Sequence, residues 1–186
     1  MVRVSGGELR GRRLQVPKKG VRPTTEKVRE AVFSILGEVS GARVLDLFCG
    51  TGALAIEALS RGAAEATLVD TRPAAARRNV ESVELEDRAQ VIRADAARFL
   101  RRAEPGSFDL VLCDPPYRLA DRLAADLDPL IREVLAPGGR VMLETSPDAP
   151  LPLTLPLITE RSYGDTLIRI HVMRGCSAGK AEEQPV

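Results

Sequence analysis

From Arg43 onward, short apolar runs alternate with stretches whose apolar residues recur at helical spacing. VLDLF (44–48), ALAIEALSRG (53–62), ATLVD (66–70), a helical stretch to about Leu85 and AQVIRAD (89–95) read as β-α-β-α-β. FDLVLCD (108–114) adds a fourth strand, and an amphipathic helix follows from about Asp121 to Leu135. RVMLET (140–145) adds a fifth strand after the break at Pro137-Gly138-Gly139. Near-continuous apolar strands separated by helices predict a parallel sheet covered on both faces. The proline-rich stretch 147–156 reads as a loop. Two alternating segments, Leu157–Ser162 and Thr166–Met173, flank Tyr163-Gly164-Asp165 and predict a closing antiparallel pair.

The first 40 residues follow another pattern. Residues 1–17 place Val2, Val4, Leu9, Leu14 and Val16 around Gly6, Gly7 and Gly11, which predicts a twisted β-hairpin, too small to fold alone. Thr24 or Thr25 can cap a helix carrying Val28, Ala31, Val32, Ile35 and Leu36, with Gly37 and Gly41 marking its exit. The expected organisation is a hairpin-and-helix extension over 1–40, one α/β domain over 41–174, and a disordered tail over 175–186. A chain of 186 residues holds one such domain and not two.

Charge changes this picture at one end. Residues 1–30 hold nine Lys or Arg against three acids, +6, and the rest hold 18 against 23, −5. A segment of that sign attracts a polyphosphate backbone by counterion release, although a solvated basic arm has the same sequence signature. No run approaches the roughly 18 apolar residues of a bilayer span, and the basic N-terminus lacks the apolar core of a secretory signal, so the expected location is the cytoplasm. Cys49, Cys113 and Cys176 show no metal-ligand spacing and read as reduced thiols; no metal is expected. His171, the single histidine, lies in an alternating strand and reads as a packing residue.

The cofactor signal is Asp46-Leu47-Phe48-Cys49-Gly50-Thr51-Gly52, a strand end turning through glycines into a helix. Glycines let a ligand approach the backbone. The spacing is not GxGxxG and no P-loop lysine follows, so dinucleotides and nucleoside triphosphates fit poorly and an adenosine-type ligand without phosphates fits better. Asp70 ends the second strand, where a carboxylate can accept from both ribose hydroxyls. Asp95 ends the third, where its carboxylate and the Ala96 N–H can read an adenine edge. Each aspartate alone is equally read as a helix cap; three at successive strand ends beside a glycine turn favour a ligand.

Asp114-Pro115-Pro116-Tyr117 closes the fourth strand. A proline pair also simply terminates strands. Beside such a cradle it has a chemical use. Methylating an exocyclic amine requires the nitrogen lone pair to leave conjugation with the base and face the methyl donor. The Asp114 carboxylate and Pro115 carbonyl can accept the two N–H bonds, and Tyr117 can stack on an extruded base. No histidine, metal or cysteine nucleophile is needed.

These residues resemble the bacterial RsmD family, 16S ribosomal RNA guanine-N2 methyltransferases. The resemblance rests on DLFCGTG, Asp70, DPPY, the opening GGxxxGRRL and RPTTEKVREAVF, EALSRGA after the glycine turn and YGDT near the end, and spans about Arg3 to Met173. It implies a class I methyltransferase sheet, Rossmann-like, with helices on both faces and the N-terminal hairpin as an extension. It also implies S-adenosyl-L-methionine as donor, and a guanine of 16S rRNA in an assembling 30S particle as acceptor. By the same match, Asp46, Phe48, Gly50 and Gly52 surround the methionine end, with Asp70 on the ribose, Asp95 and Ala96 near adenine, and Asp114 to Tyr117 on the guanine. Thr24 and Thr25 close over the cofactor, and Arg10, Arg12, Arg13, Arg22 and Arg29 face RNA. Thr51 and Ala55 stand where the family commonly has serine and glycine. A monomer is the default expectation.

Three other readings use parts of the same pattern. DPPY serves any exocyclic amine, so an adenine-N6 methyltransferase of RNA or DNA shares the mechanism. A non-catalytic rRNA-binding protein would use the basic end and leave Asp114 and the glycine turn without a purpose. A small-molecule methyltransferase or NAD-dependent oxidoreductase leaves the +6 segment unexplained.

Overall fold

The computed structural model describes residues 2–16, 26–115, 120–148 and 151–175. β1 (Val2–Arg3) and β2 (Arg13–Leu14) pair antiparallel, and α1 (Glu26–Leu36) leads into the main sheet. Then come β3 (Arg43–Leu47), α2 (Ala53–Ser60), β4 (Glu65–Asp70), α3 (Ala74–Ser82), β5 (Ala89–Arg93), α4 (Ala96–Leu100), β6 (Phe108–Cys113) and α5 (Ala120–Val134). β7 (Leu135–Thr145), β8 (Leu157–Tyr163) and β9 (Thr166–Val172) complete the chain. The seven strands run in the order β5-β4-β3-β6-β7-β9-β8. β3 to β7 are mutually parallel, and β9 pairs antiparallel with both β7 and β8.

The strands are apolar on both sides because helices cover both sides. Val44, Leu68, Leu110 and Leu112 face a core made with Val32, Phe33 and Leu36 of α1, Ile56 and Leu59 of α2, and Val80 of α3. Leu45, Leu47, Val111 and Cys113 face the opposite core, with Leu100 of α4 and Leu127, Ile131 and Val134 of α5. Each fully buried Leu or Ile contributes about 1.5–3 kcal/mol. Leu151 and Leu155 of the proline-rich stretch are buried in this second core, so that loop is anchored by its leucines. Among the described residues no helix is long and apolar enough to cross a membrane.

Three boundaries differ from the pattern read in sequence. α3 ends at Ser82, before Leu85, and Glu84 just beyond it has φ 59°. α4, only five residues long, is too short to show a helical period. The expected break at Pro137-Gly138-Gly139 lies inside β7: the register with β6 passes from Phe108↔Leu135 to Leu110↔Arg140, so a bulge absorbs the extra residues.

The hairpin docks on the C-terminal half of α2. Glu57 is fully buried and accepts from the Ser5 N–H, the Ser5 hydroxyl and the Gly6 N–H, each at 2.8 Å. Arg61 Nε donates to the same carboxylate at 2.9 Å. The Ser60 carbonyl accepts from the Glu8 N–H at 2.8 Å, and its hydroxyl from the Leu9 N–H at 2.9 Å. Gly7, at φ 76°, is required here, since a Cβ would fall 1.7 Å from the Ser60 carbonyl oxygen. Val2, Val4 and Leu14 join the α1–α2–α3 core, so the hairpin gains the burial it cannot supply alone.

Candidate cofactor and substrate site

The C-terminal ends of β3 to β6 form one edge of the sheet, and the strand order reverses direction between β3 and β6. Ligands of open α/β sheets bind outside such a switch point. Leu47 pairs with both Val69 of β4 and Cys113 of β6. The next residues along these strands, Phe48, Asp70 and Asp114, therefore end neighbouring strands spaced about 4.8 Å apart.

The chain leaves β3 through a strained turn. Phe48, a bulky aromatic residue, has φ 61°, a conformation that costs on the order of 1–3 kcal/mol and recurs at functional sites. The Cys49 N–H donates to the Val69 carbonyl at 3.1 Å, and the Gly50 N–H to Asp70 Oδ2 at 3.0 Å, so β4 supports the turn from its side. Asp70 Oδ1 accepts from the Arg72 N–H at 2.7 Å. Gly52, at φ 75°, caps α2; a Cβ there would meet Leu68 Cδ2 at 2.7 Å, which explains why this position takes no side chain.

Asp46 lies one residue inside the end of β3 and is 1% exposed. Its Oδ2 accepts from the Ala55 N–H at 3.2 Å. Burial, reinforced by the Asp70 charge and opposed by the Ala55 N–H, pushes its carboxyl up to about 7. Asp95 is exposed and caps α4, accepting from the Arg98 N–H at 3.1 Å through Oδ1, with Ala96 buried behind it. Asp114 is half-buried at the end of β6 and Pro115 is buried. Pro116, Tyr117, Arg22, Thr24 and Thr25 lie outside the described residues. Burial raises the Cys49 and Cys113 thiols well above the usual range, with nearby carboxylates adding to it, so both stay protonated. His171 is a buried residue of β9 whose Nδ1 lies 2.8 Å from the Leu155 carbonyl, and burial lowers its pKa.

Arg10, Arg12 and Arg13 are exposed on the hairpin. Arg29 is a correction to the set expected to face RNA: it is 0% exposed. Its guanidinium is bonded to the buried Glu57 and to the Arg3 carbonyl, and burial lowers its pKa against the opposing pull of Glu57. No RNA phosphate reaches it there. The signal was present in the sequence: Glu57 is the lone charge of an otherwise apolar helix, and Arg29 shares the helical stripe of Phe33 and Leu36.

Sequence reasoning missed Asn79. Fully buried in α3, it donates through Nδ2 to the Thr51 carbonyl at 2.9 Å and the Gln15 carbonyl at 3.0 Å, and accepts from the Gln15 N–H at 2.8 Å. It ties the glycine turn to the N-terminal segment. Glu144 of β7 is also buried; Leu143 pairs with Cys113, so it stands beside Asp114 in register.

The donor set of this edge is acidic: Asp46, Asp70 and Asp95 gather there, and residues 46–52 contain no basic side chain. Such a set repels phosphate and suits ribose hydroxyls, an amine or a sulfonium cation, so the residues fit S-adenosylmethionine. The chain is similar to known proteins throughout. It is 32% identical over 181 residues to ribosomal RNA small subunit methyltransferase D of Haemophilus influenzae, a match covering 91% of this chain and 93% of that protein. To the Escherichia coli K12 protein of the same name it is 42% identical over 122 residues, covering 63% of this chain and 61% of that one. The solved structure of Escherichia coli yhhF superposes with a TM-score of 0.82 at 32% identity, over 94% of this chain and 98% of that one. The model of the family described as Conserved hypothetical protein 95 matches residues 2–172. The chain belongs to this family, the RsmD family that its motifs resemble.

Proposed function

We propose that this protein transfers a methyl group from S-adenosylmethionine to the exocyclic N2 amine of a guanine in 16S ribosomal RNA, presented within an assembling 30S particle. The observation that carries this reading is Asp114-Pro115 at the end of β6, one position past the Leu47↔Cys113 pair and so directly beside the Phe48–Gly52 turn. The names of the relatives support ribosomal RNA as the substrate class.

Asp70 accepts from the ribose hydroxyls while its Oδ2 keeps Gly50 in place. Asp95 and the Ala96 N–H read the adenine edge, Asp95 through the oxygen that does not cap α4. Asp46, Phe48, Gly50 and Gly52 line the methionine end, and Thr24 and Thr25 cover it. The cofactor, when bound, supplies an electrophilic methyl on a sulfonium sulfur. Asp114 and the Pro115 carbonyl accept the two guanine N–H bonds and turn the nitrogen lone pair out of the ring system toward that methyl. Pro116 stiffens the carbonyl and Tyr117 stacks on the flipped base. After transfer the cationic nitrogen passes one proton to the Asp114 carboxylate it is bonded to, which restores the neutral amine and leaves the aspartic acid to return the proton to solvent. Arg10, Arg12, Arg13 and Arg22 hold the RNA backbone.

The test is transfer of labelled methyl to 30S particles lacking the modification, to naked 16S RNA and to DNA, followed by nucleoside analysis. N2-methylguanosine formed mainly in 30S particles is the expected result. N6-methyladenine would move the substrate while keeping the amine-orienting chemistry, and no label in any nucleic acid would overturn the reading.

A further inference from the structure

The hairpin is anchored at the end of the sheet away from the candidate site, and the chain leaving it at Gln15 reaches the glycine turn through Asn79. α2 and α3 both run away from the strands' C-terminal edge, so Ser60 and Ser82 sit at the far end. The hairpin is fastened to that far end, through the Ser60 contacts and through Arg12 Nη2, which donates to the Ser82 carbonyl at 2.8 Å. α3 separates the two by about 12 Å of helix rise. An RNA that touches both the hairpin arginines and the C-terminal edge of the sheet has α3 as one of the surfaces along which it can run.

α3 has two exposed flanks, and they differ. One carries Arg77 and Glu81, and Arg77 Nη2 is already committed to the Val91 carbonyl at 3.2 Å on the β5 side. The other carries Arg78, one turn before Ser82 and next to Asn79, on the side where Arg12 and Gln15 run against the helix. Arg78 is exposed and, among the described residues, lies within ion-pair distance of no carboxylate; the same holds for Arg72, just before the helix. Arg72 adjoins the site itself, its backbone N–H bonded to Asp70. Of the acids of this region, Glu81 lies on the helix three residues after Arg78, and Glu84, Glu86 and Asp87 sit in the loop beyond Ser82.

We propose that Arg78, with Arg72 above it and Arg12 below, forms a phosphate track along one flank of α3 that carries the substrate RNA's backbone from the hairpin to the C-terminal edge of the sheet. The proposal rests on RNA being the substrate. Arg12, Arg78 and Arg72 follow one another from the Ser82 end of α3 to its start, exposed and, among the described residues, in no ion pair; such guanidinium groups suit backbone phosphates, which arginine binds without reading sequence.

The experiment measures binding to a 16S RNA transcript as a function of salt, for the wild type and for Arg78→Glu, Arg78→Lys and Arg161→Glu, the last on β8 at the opposite edge of the sheet. Arg78→Glu should bind at least about tenfold more weakly, with a salt slope reduced by about 0.7–0.9 for each phosphate it no longer neutralises. Arg78→Lys should keep the slope, Arg161→Glu should match the wild type, and all should bind S-adenosylmethionine equally by calorimetry with unchanged thermal melts. Unchanged affinity and slope in Arg78→Glu, with a wild type that methylates RNA, would overturn the track alone. A wild type that methylates no RNA would overturn the functional reading with it.

Discussion

Asn79 donates its side-chain amide to the Thr51 carbonyl at 2.9 Å, so a buried residue of α3 fixes the middle of the glycine turn. The same side chain holds both backbone groups of Gln15. Asn79→Ala leaves the buried Thr51 carbonyl and two part-buried backbone groups of Gln15 without this partner, and a buried group costs about 1–3 kcal/mol when unsatisfied. We expect a stability loss of about 1–3 kcal/mol in urea titration, with weaker S-adenosylmethionine binding by calorimetry in the fraction that stays folded. A variant with full stability and full affinity would remove Asn79 from the support of the turn.

Asp70 and Asp114 stand at the ends of different strands and should fail differently. Asp70→Ala removes the partner of Gly50 and the proposed ribose acceptor, and should weaken cofactor affinity by about 10²-fold, the cost of two charge-assisted hydrogen bonds at the lower end of their range. Asp114→Ala should leave cofactor affinity intact and lower kcat by at least about 10²-fold through misplacement of the amine. Calorimetry beside single-turnover transfer separates the two; near-normal turnover in Asp114→Ala would end the amine-orienting role.

The buried Asp46 makes stability depend on pH with a definite sign. Its carboxyl titrates near 7 in the folded chain and near 3.8 in an unperturbed one. Between those values the folded chain keeps a proton that the unfolded chain has released, so the contribution is full below about pH 4 and is lost as pH rises through 7. Asp46→Asn keeps an acceptor for the Ala55 N–H and removes the ionisation. Between about pH 5 and about pH 8, the urea midpoint of the cofactor-free protein should therefore fall more for the wild type than for the variant. Equal falls would mean that Asp46 does not titrate in this window.

Charge reversal of Arg10, Arg12 and Arg13 together should weaken RNA binding by an order of magnitude or more at low salt and flatten its salt dependence. Cofactor affinity should not change, since all three side chains are exposed and none is bonded to the turn. RNA binding equal to that of the wild type would reduce the hairpin to a structural element.

The parts of this molecule that were legible in the sequence are those governed by local period and local turn chemistry. β3, β4, β5 and β6 announce themselves as apolar runs, and the glycine turn and DPPY follow two of them. What stayed hidden depends on partners far along the chain. Arg29 reads as a surface cation until Glu57, 28 positions later, is seen to lie against it in the core. Asn79 reads as one more polar helical residue until Thr51 and Gln15 converge on it. β7 shows the same limit in another form: Pro137-Gly138-Gly139 signals a break locally, yet pairing with β6 and β9 carries the strand through it as a bulge.

The docking of the hairpin also bears on the order in which this chain is made. Ser5 waits for Glu57, Gln15 for Asn79, Arg12 for Ser82 and Glu8 for Arg88, separations of 52, 64, 70 and 80 residues. Synthesis delivers the N-terminus first, and a two-stranded hairpin has no stability of its own. The hairpin is therefore made before the helices that seat it, and contacts so distant in sequence form more slowly than local ones. Until α2 and α3 have been made and packed, the most basic stretch of this sequence has no surface on which to dock.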